Sequence, residues 1–168
     1  PTYDVFDEVR YFSPGETTGV VEIEIETEKI KIGLQICEDL WDKNYACNIT
    51  DSLKEKGAQM IVNISASPYR AERLTDRKSL IQNKVSETGL PFIYCNLVGA
   101  QDELIFDGQS LVYDGEGSLI GQGKPFEEDL IIVDIDNATP IEIKADVREE
   151  KIYHALVLGV RDYFIKTG

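Results

Sequence analysis

The stretch GLQICEDLWDKNY, residues 33–45, places Cys37 directly after alternating aliphatics and directly before two acids and a tryptophan. A thiol becomes a competent nucleophile only as its thiolate, and it needs a base or a positive neighbour to get there. A turn at the end of a strand supplies two further things. It exposes the side chain at the sheet edge, and it points backbone N–H groups at a developing oxyanion. Cys37 is the first residue off the register of the aliphatic run that ends at Ile36. The pattern alone leaves two readings open: a presented nucleophile, or a small hydrophobe in the core. Cys95 lies inside an apolar run and Cys47 in a polar one, and both read as structural.

The elements that must position Cys37 are legible as periodicities. Val21, Ile23 and Ile25 alternate with Glu22, Glu24 and Glu26, which predicts a half-exposed strand. Ile30, Ile32, Leu34 and Ile36 alternate next and predict a buried strand face, with a hairpin around Thr27–Glu28 between the two. A short helix ended by Gly57 and a buried strand Met60–Ile64 follow. Leu74, Ile81 and Val85 mark an amphipathic helix that Gly89 would stop. PFIYCNLVG predicts another buried strand, LIFDGQSLVYDGEGSLIGQG a strand, a turn and a strand, and residues 129–136 one more. The final helix has Asp146 as its expected N-cap, with Ile152, Leu156, Val160 and Tyr163 or Phe164 as its apolar stripe. The order is mixed α/β.

Composition narrows the function. The 168 residues fit one domain, and no apolar run approaches the roughly 20 residues of a membrane span. A net charge of −14 repels phosphate backbones and argues against nucleic-acid binding. Three cysteines without metal-ligand spacing and one histidine, His154, argue against a zinc site and fit a reducing cytoplasm. The chain begins with Pro1 and not Met, which reads as a fragment or a processed product.

Four stretches carry a resemblance. GLQICEDLWDKNY, IVNISASPYR and GAQDELIFDGQSLVYDGEG are similar, in order and spacing, to the glutamine-hydrolysing domain of glutamine-dependent NAD(+) synthetases, a branch of the nitrilase superfamily. PTYDVFDEVRYF resembles the segment just after that family's catalytic lysine. The resemblance implies a nitrilase-like αββα sandwich and a Glu–Lys–Cys triad in which Cys37 is the nucleophile. Cys37 would attack the side-chain amide of glutamine, form a γ-glutamyl thioester and release ammonia. The family's lysine would lie just before Pro1 and its glutamate further upstream, so the sandwich is expected to be incomplete, with N-terminal strands and a helix missing. Residues 1–143 would be the C-terminal part of the hydrolase domain. Residues 144–168 would be a connecting helix leading to an absent ATP-dependent synthetase domain, where ATP, Mg and deamido-NAD would bind. No cofactor or metal is expected in this chain, which by itself would have little or no activity. Glutamine, the synthetase domain and further copies in a homo-oligomer are the expected partners.

The resemblance also assigns supporting residues. Tyr3 matches a tyrosine lining the glutamine pocket, and is otherwise a surface aromatic. Glu38 matches a position near the substrate's α-ammonium, and is otherwise a helix-dipole charge. Ser67 matches a substrate hydrogen-bond partner, and is otherwise an N-cap or a turn residue before Pro68. Arg73 or Arg77 would hold the α-carboxylate, unless both are exposed helix arginines. Trp41 is expected beside the site, as a core packing residue, Asp107, Gly108 and Ser110 to shape a loop, and His154 to be structural. A free-standing nitrilase-like amidase or carbamoylase, and a non-catalytic assembly module, are the competing functions.

Overall fold

The computed structural model describes residues 10–13, 15–142 and 147–168. The alternating segments form β1 (Gly19–Ile25) and β2 (Glu28–Ile36), an antiparallel hairpin with Ile25 opposite Glu28. Its turn is Glu26–Thr27, one residue earlier than the spacing predicts, and Glu26 takes the positive φ of 57° that a two-residue turn asks for. The short helix α1 (Ile49–Glu55) leads into β3 (Met60–Ser65), and α2 (Arg73–Thr88) leads into β4 (Phe92–Asn96). Gly89 ends α2 at φ 69°, and its N–H bonds back to the carbonyl of Val85.

The chain then bends out of the sheet. β5 (Val98–Gln101) and β6 (Leu104–Asp107) pair as a separate hairpin, so PFIYCNLVG spans two sheets and not one strand. Gly108 and Gln109, at φ 62° and 52°, turn the chain back into β7 (Leu111–Tyr113), which β8 (Leu119–Gln122) follows. The main sheet runs β1-β2-β3-β4-β7-β8, with β2, β3 and β4 mutually parallel and the outer pairs antiparallel.

One expectation is reversed. The aliphatic row of β2 is the open face of the sheet: Leu34 is 41% and Ile36 71% exposed. The register sets Ile32 opposite Val21 and beside Met60, Leu34 beside Val62, and Ile36 beside Ile64, and thus spreads an apolar surface across three strands. The other face of β2 carries Gly33 and Gln35, and it is this face that α1 and α2 cover. Packing explains the choice. A Cβ on Gly33 would lie 2.8 Å from Ile61 Cδ1 and 3.1 Å from Leu53 Cβ, so α1 seats only where a side chain is missing. The core beneath the helices holds Leu53, Ile61, Ile81, Val85, Phe92, Tyr94, Leu111 and Tyr113, and the predicted α2 stripe joins it.

Toward the β8 end of the open face, residues 129–136 lie across Gly121, where a Cβ would meet Val133 Cγ2 at 2.8 Å. This segment is irregular and not the expected strand. Its alternation survives, with Leu130 and Ile132 outward at 82% and 88% exposure, but it pairs with no strand among the described residues.

The closing helix, α3 (Arg148–Thr167), packs on the β5–β6 hairpin through Ala155, Leu158 and Gly159. The expected stripe Ile152, Leu156, Val160, Tyr163 and Phe164 faces outward instead. Polar contacts select the inward face. The Ala100 N–H donates to Asp162 Oδ2 at 2.8 Å, and Lys166 Nζ donates to the Ala100 carbonyl, so the helix closes the free edge of β5. The cap residue is Val147, which bonds nothing with its side chain, and Asp146 lies outside the described residues.

Burial of Tyr113 pushes its hydroxyl up to about 12, and that hydroxyl has no hydrogen-bond partner among the described residues. The unfolded chain therefore loses this proton first, near pH 10, and folding stability falls between pH 10 and 12. One such group changes stability by at most about 1.4 kcal/mol per pH unit. Urea unfolding between pH 9 and 11 is expected to show a shallower alkaline loss of stability in Tyr113→Phe than in the unsubstituted protein. Equal slopes would contradict the assignment.

Candidate active site

The parallel strands β2, β3 and β4 end side by side, which is where open α/β sheets place their chemistry. At the end of β2, Cys37 has φ 41°, a sparsely populated conformation for a non-glycine residue, and it opens a 3-10 turn, Cys37–Leu40. Side chains hold that turn from both sides. The Ile36 N–H donates to Asp39 Oδ2 at 2.9 Å, and Asn63 Nδ2 donates to the Cys37 carbonyl at 3.4 Å. Cys37 is half-buried, and so is Glu38, in the first turn. A helix of four residues has little dipole for Glu38 to oppose.

Behind the turn, a row of buried polar side chains runs along the helix-covered face. Gln35 Nε2 donates to Thr50 Oγ1 at 2.9 Å, and Asn63 Nδ2 donates to Gln35 Oε1 at 3.3 Å. Ser65 Oγ donates to Asn63 Oδ1 at 2.6 Å. The Tyr94 hydroxyl donates to Asn96 Oδ1 at 3.4 Å. Burial raises the pKa of this hydroxyl. The Arg77 guanidinium and the Ser65 and Ser67 hydroxyls oppose that rise, and negative charge on Cys37 adds to it.

Ser67 is 5% exposed and is not a cap, since α2 begins six residues on with Glu72 as its cap residue. Its backbone N–H donates to Asn96 Oδ1 at 3.0 Å. Its carbonyl accepts from Arg77 Nη2 at 2.9 Å. Arg77 is fully buried, not exposed, and its Nη1 reaches both oxygens of Asp107, at 2.9 and 3.0 Å. Arg73 is elsewhere, with its guanidinium 4.8 Å above the ring of Trp41 and so beside the Cys37 turn. Arg77 is therefore committed to protein groups, and Arg73 is the arginine of the pair that flanks the turn.

The structure gathers Cys37, Glu38, Ser67 and Arg73 around the ends of β2 and β3. Tyr3 lies outside the described residues. Sequence reasoning misses Tyr94, Asn96 and Asp107. Asp107 is not merely a loop residue, since it is the buried partner of Arg77. The available signal was the i, i+2 placement of Tyr94 and Asn96, which sets both on one face of a strand. Cys47 and Cys95 are both exposed, Cys95 on the open sheet face beside Ile64. A cleft of about 360 Å³ between Asp42 and Lys84 and another of about 380 Å³ beside Cys95 and Gln109 are not lined by Cys37. His154 stacks on Phe126 at 6.4 Å and has no place in the site. Among the described residues, no three His, Cys, Asp or Glu side chains converge as a metal site requires. None of the described helices is long and apolar enough to cross a membrane.

A thiol on a strained turn at the ends of parallel strands, in a mixed α/β sheet, fits an α/β hydrolase that works through a cysteine. The chain belongs to the carbon-nitrogen hydrolase family, whose profile matches residues 1–145. It is 37% identical over 205 residues to a glutamine-dependent NAD(+) synthetase of Thermotoga maritima, covering 100% of this chain and 34% of that protein. A glutamine-dependent NAD(+) synthetase of Synechocystis sp. is 38% identical over 181 residues, covering 100% of this chain and 32% of that protein. Among solved structures, the glutamine-dependent NAD+ synthetase of Acinetobacter baumannii in complex with ADP superposes with a TM-score of 0.84. It is 33% identical, and the match covers 100% of this chain and 31% of that one. A carbon-nitrogen hydrolase of Helicobacter pylori, at 23% identity and a TM-score of 0.64 over 76% of this chain and 47% of that one, shares the fold. The chain spans about a third of the length of the curated relatives it matches.

Removing one partner of a buried ion pair leaves an uncompensated charge, at a cost of about 3–5 kcal/mol. Arg77→Met is therefore expected to lower the unfolding free energy by about that much in urea titration. Arg73→Met, at a half-buried cation over the Trp41 ring, should cost less than Arg77→Met. Similar losses for the two variants would contradict this ranking.

Proposed function

We propose that this chain is the glutamine-hydrolysing part of a glutamine-dependent NAD(+) synthetase. The observation that carries the reading is Cys37, at φ 41° on the turn that ends β2, within a chain whose curated relatives bear that name. The Cys37 sulfur attacks the side-chain carbonyl carbon of glutamine. The thiol proton passes to the departing nitrogen, the C–N bond breaks, and ammonia leaves a γ-glutamyl thioester. Water then cleaves the thioester to glutamate and restores the thiol. The backbone N–H of Glu38, next to the nucleophile, donates to the oxyanion, and the Glu38 carboxylate pairs with the substrate's ammonium. Ser67 and Arg73 contact the substrate, and Arg73 is the arginine for its carboxylate.

Of the expected triad, Cys37 is the member assigned within this chain. The open apolar face supports a second sheet packed on it, as an αββα sandwich requires. Residues 144–168 connect to the synthetase portion, where ATP and Mg act on deamido-NAD, and no residue of this chain is assigned to them. The outward stripe of α3 supports packing against that portion. Three cysteines outside any disulfide fit a cytoplasmic protein.

In the full-length enzyme, Cys37→Ala is expected to abolish glutamine hydrolysis, by at least about 1,000-fold, as loss of a nucleophile does. Added ammonia should still support amidation of deamido-NAD. Retained glutamine-driven turnover would end the assignment.

A further inference from the structure

Both backbone hydrogen-bonding groups of Ser67 are held by side chains and not by a neighbouring strand. Asn96 Oδ1 takes the N–H, and Arg77 Nη2 donates to the carbonyl. These two side chains are in turn locked to a single anion. Arg77 and Asn96 both donate to Asp107 Oδ1, at 2.9 and 3.3 Å, and Gln109 Nε2 donates to Asp107 Oδ2 at 2.6 Å. Asn96 Nδ2 also donates to the Gly108 carbonyl at 3.0 Å. Every member is at most 7% exposed, so each bond forms where water does not compete for it. The clamp joins three separate elements: α2 through Arg77, β4 through Asn96, and the β6–β7 bend through Asp107 and Gln109. Ser67 lies at the convergence, its backbone held from both sides.

We propose that Arg77 is a positioning residue for glutamine hydrolysis: paired with Asp107, it fixes the Ser67 backbone so that the Ser67 hydroxyl meets the substrate. This rests on the function proposed above, with Ser67 a substrate contact. Arginine is required because its planar fork spans a carboxylate and a carbonyl at once. A lysine keeps the charge but cannot hold both in that geometry.

The test is a double-mutant cycle in the full-length enzyme, with KM and kcat for glutamine as readouts. Arg77→Lys and Ser67→Ala are each expected to raise KM about tenfold, with kcat within about threefold. The double variant should exceed Ser67→Ala by no more than about twofold, because Arg77 has nothing left to position. Alkylation of Cys37 by iodoacetamide, which needs no substrate contact, should keep its rate. An unchanged KM in Arg77→Lys, effects that multiply in the double variant, or a parallel loss of alkylation would each overturn the role. If Arg77→Lys does not fold, Asp107→Asn keeps the shape of the clamp, loosens Arg77 and enters the same cycle. An unsubstituted enzyme that fails to hydrolyse glutamine would refute the functional reading itself, and this proposal with it.

Discussion

A guanidinium with no exposure to solvent constrains this structure more than any other group. Buried charge is tolerated only where hydrogen bonds and an opposite charge replace water. Arg77 obtains both: a bidentate carboxylate from Asp107 and a backbone carbonyl from Ser67. Asp107 shares its oxygens with Asn96 and Gln109. Satisfying one cation thereby fixes where α2 crosses the sheet, where the chain leaves β3, and how it turns between β6 and β7. The positive φ values at Gly108 and Gln109 follow from that turn. Such a network is weak evidence for net stability. Its effect here is to hold in one arrangement segments far apart in sequence.

The sheet divides the labour of the site between its faces. The face under the helices carries Gln35, Asn63, Ser65, Tyr94 and Asn96, an unusual density of buried polar groups for a sheet covered by amphipathic helices. All of them are hydrogen-bonded, and they crowd toward the carboxyl ends of the parallel strands, where Cys37 sits. The opposite face, largely aliphatic and open, supplies area for a packed layer. The residue that joins the two is Cys37, where the alternation of β2 breaks and a positive φ redirects the chain.

Much of this was legible in the sequence. The strands and helices that flank the site are where periodicity places them, and Gly57 and Gly89 stop the helices as expected. Periodicity gives a face but not its environment. The aliphatic row of β2 resembles a buried one, and nothing local says that Gly33 and Gln35 face the helices instead. Polar anchoring misled in the same way at α3, where Asp162 and Lys166 outweigh a more apolar stripe. Cys37 was visible as a residue just past a strand. Ser67 was visible through the resemblance alone. The Arg77–Asp107 pair was invisible, because its partners are 30 residues apart and each is ordinary in its own neighbourhood.

The central claim is that one sulfur, at Cys37, carries the acyl group of glutamine. Rapid acid quenching of the full-length enzyme during glutamine turnover, followed by peptide mass spectrometry, tests it directly. The account predicts a glutamyl adduct on Cys37 that hydroxylamine removes. A glutamyl group on Cys47 or Cys95, or turnover with no adduct on any thiol, would contradict it.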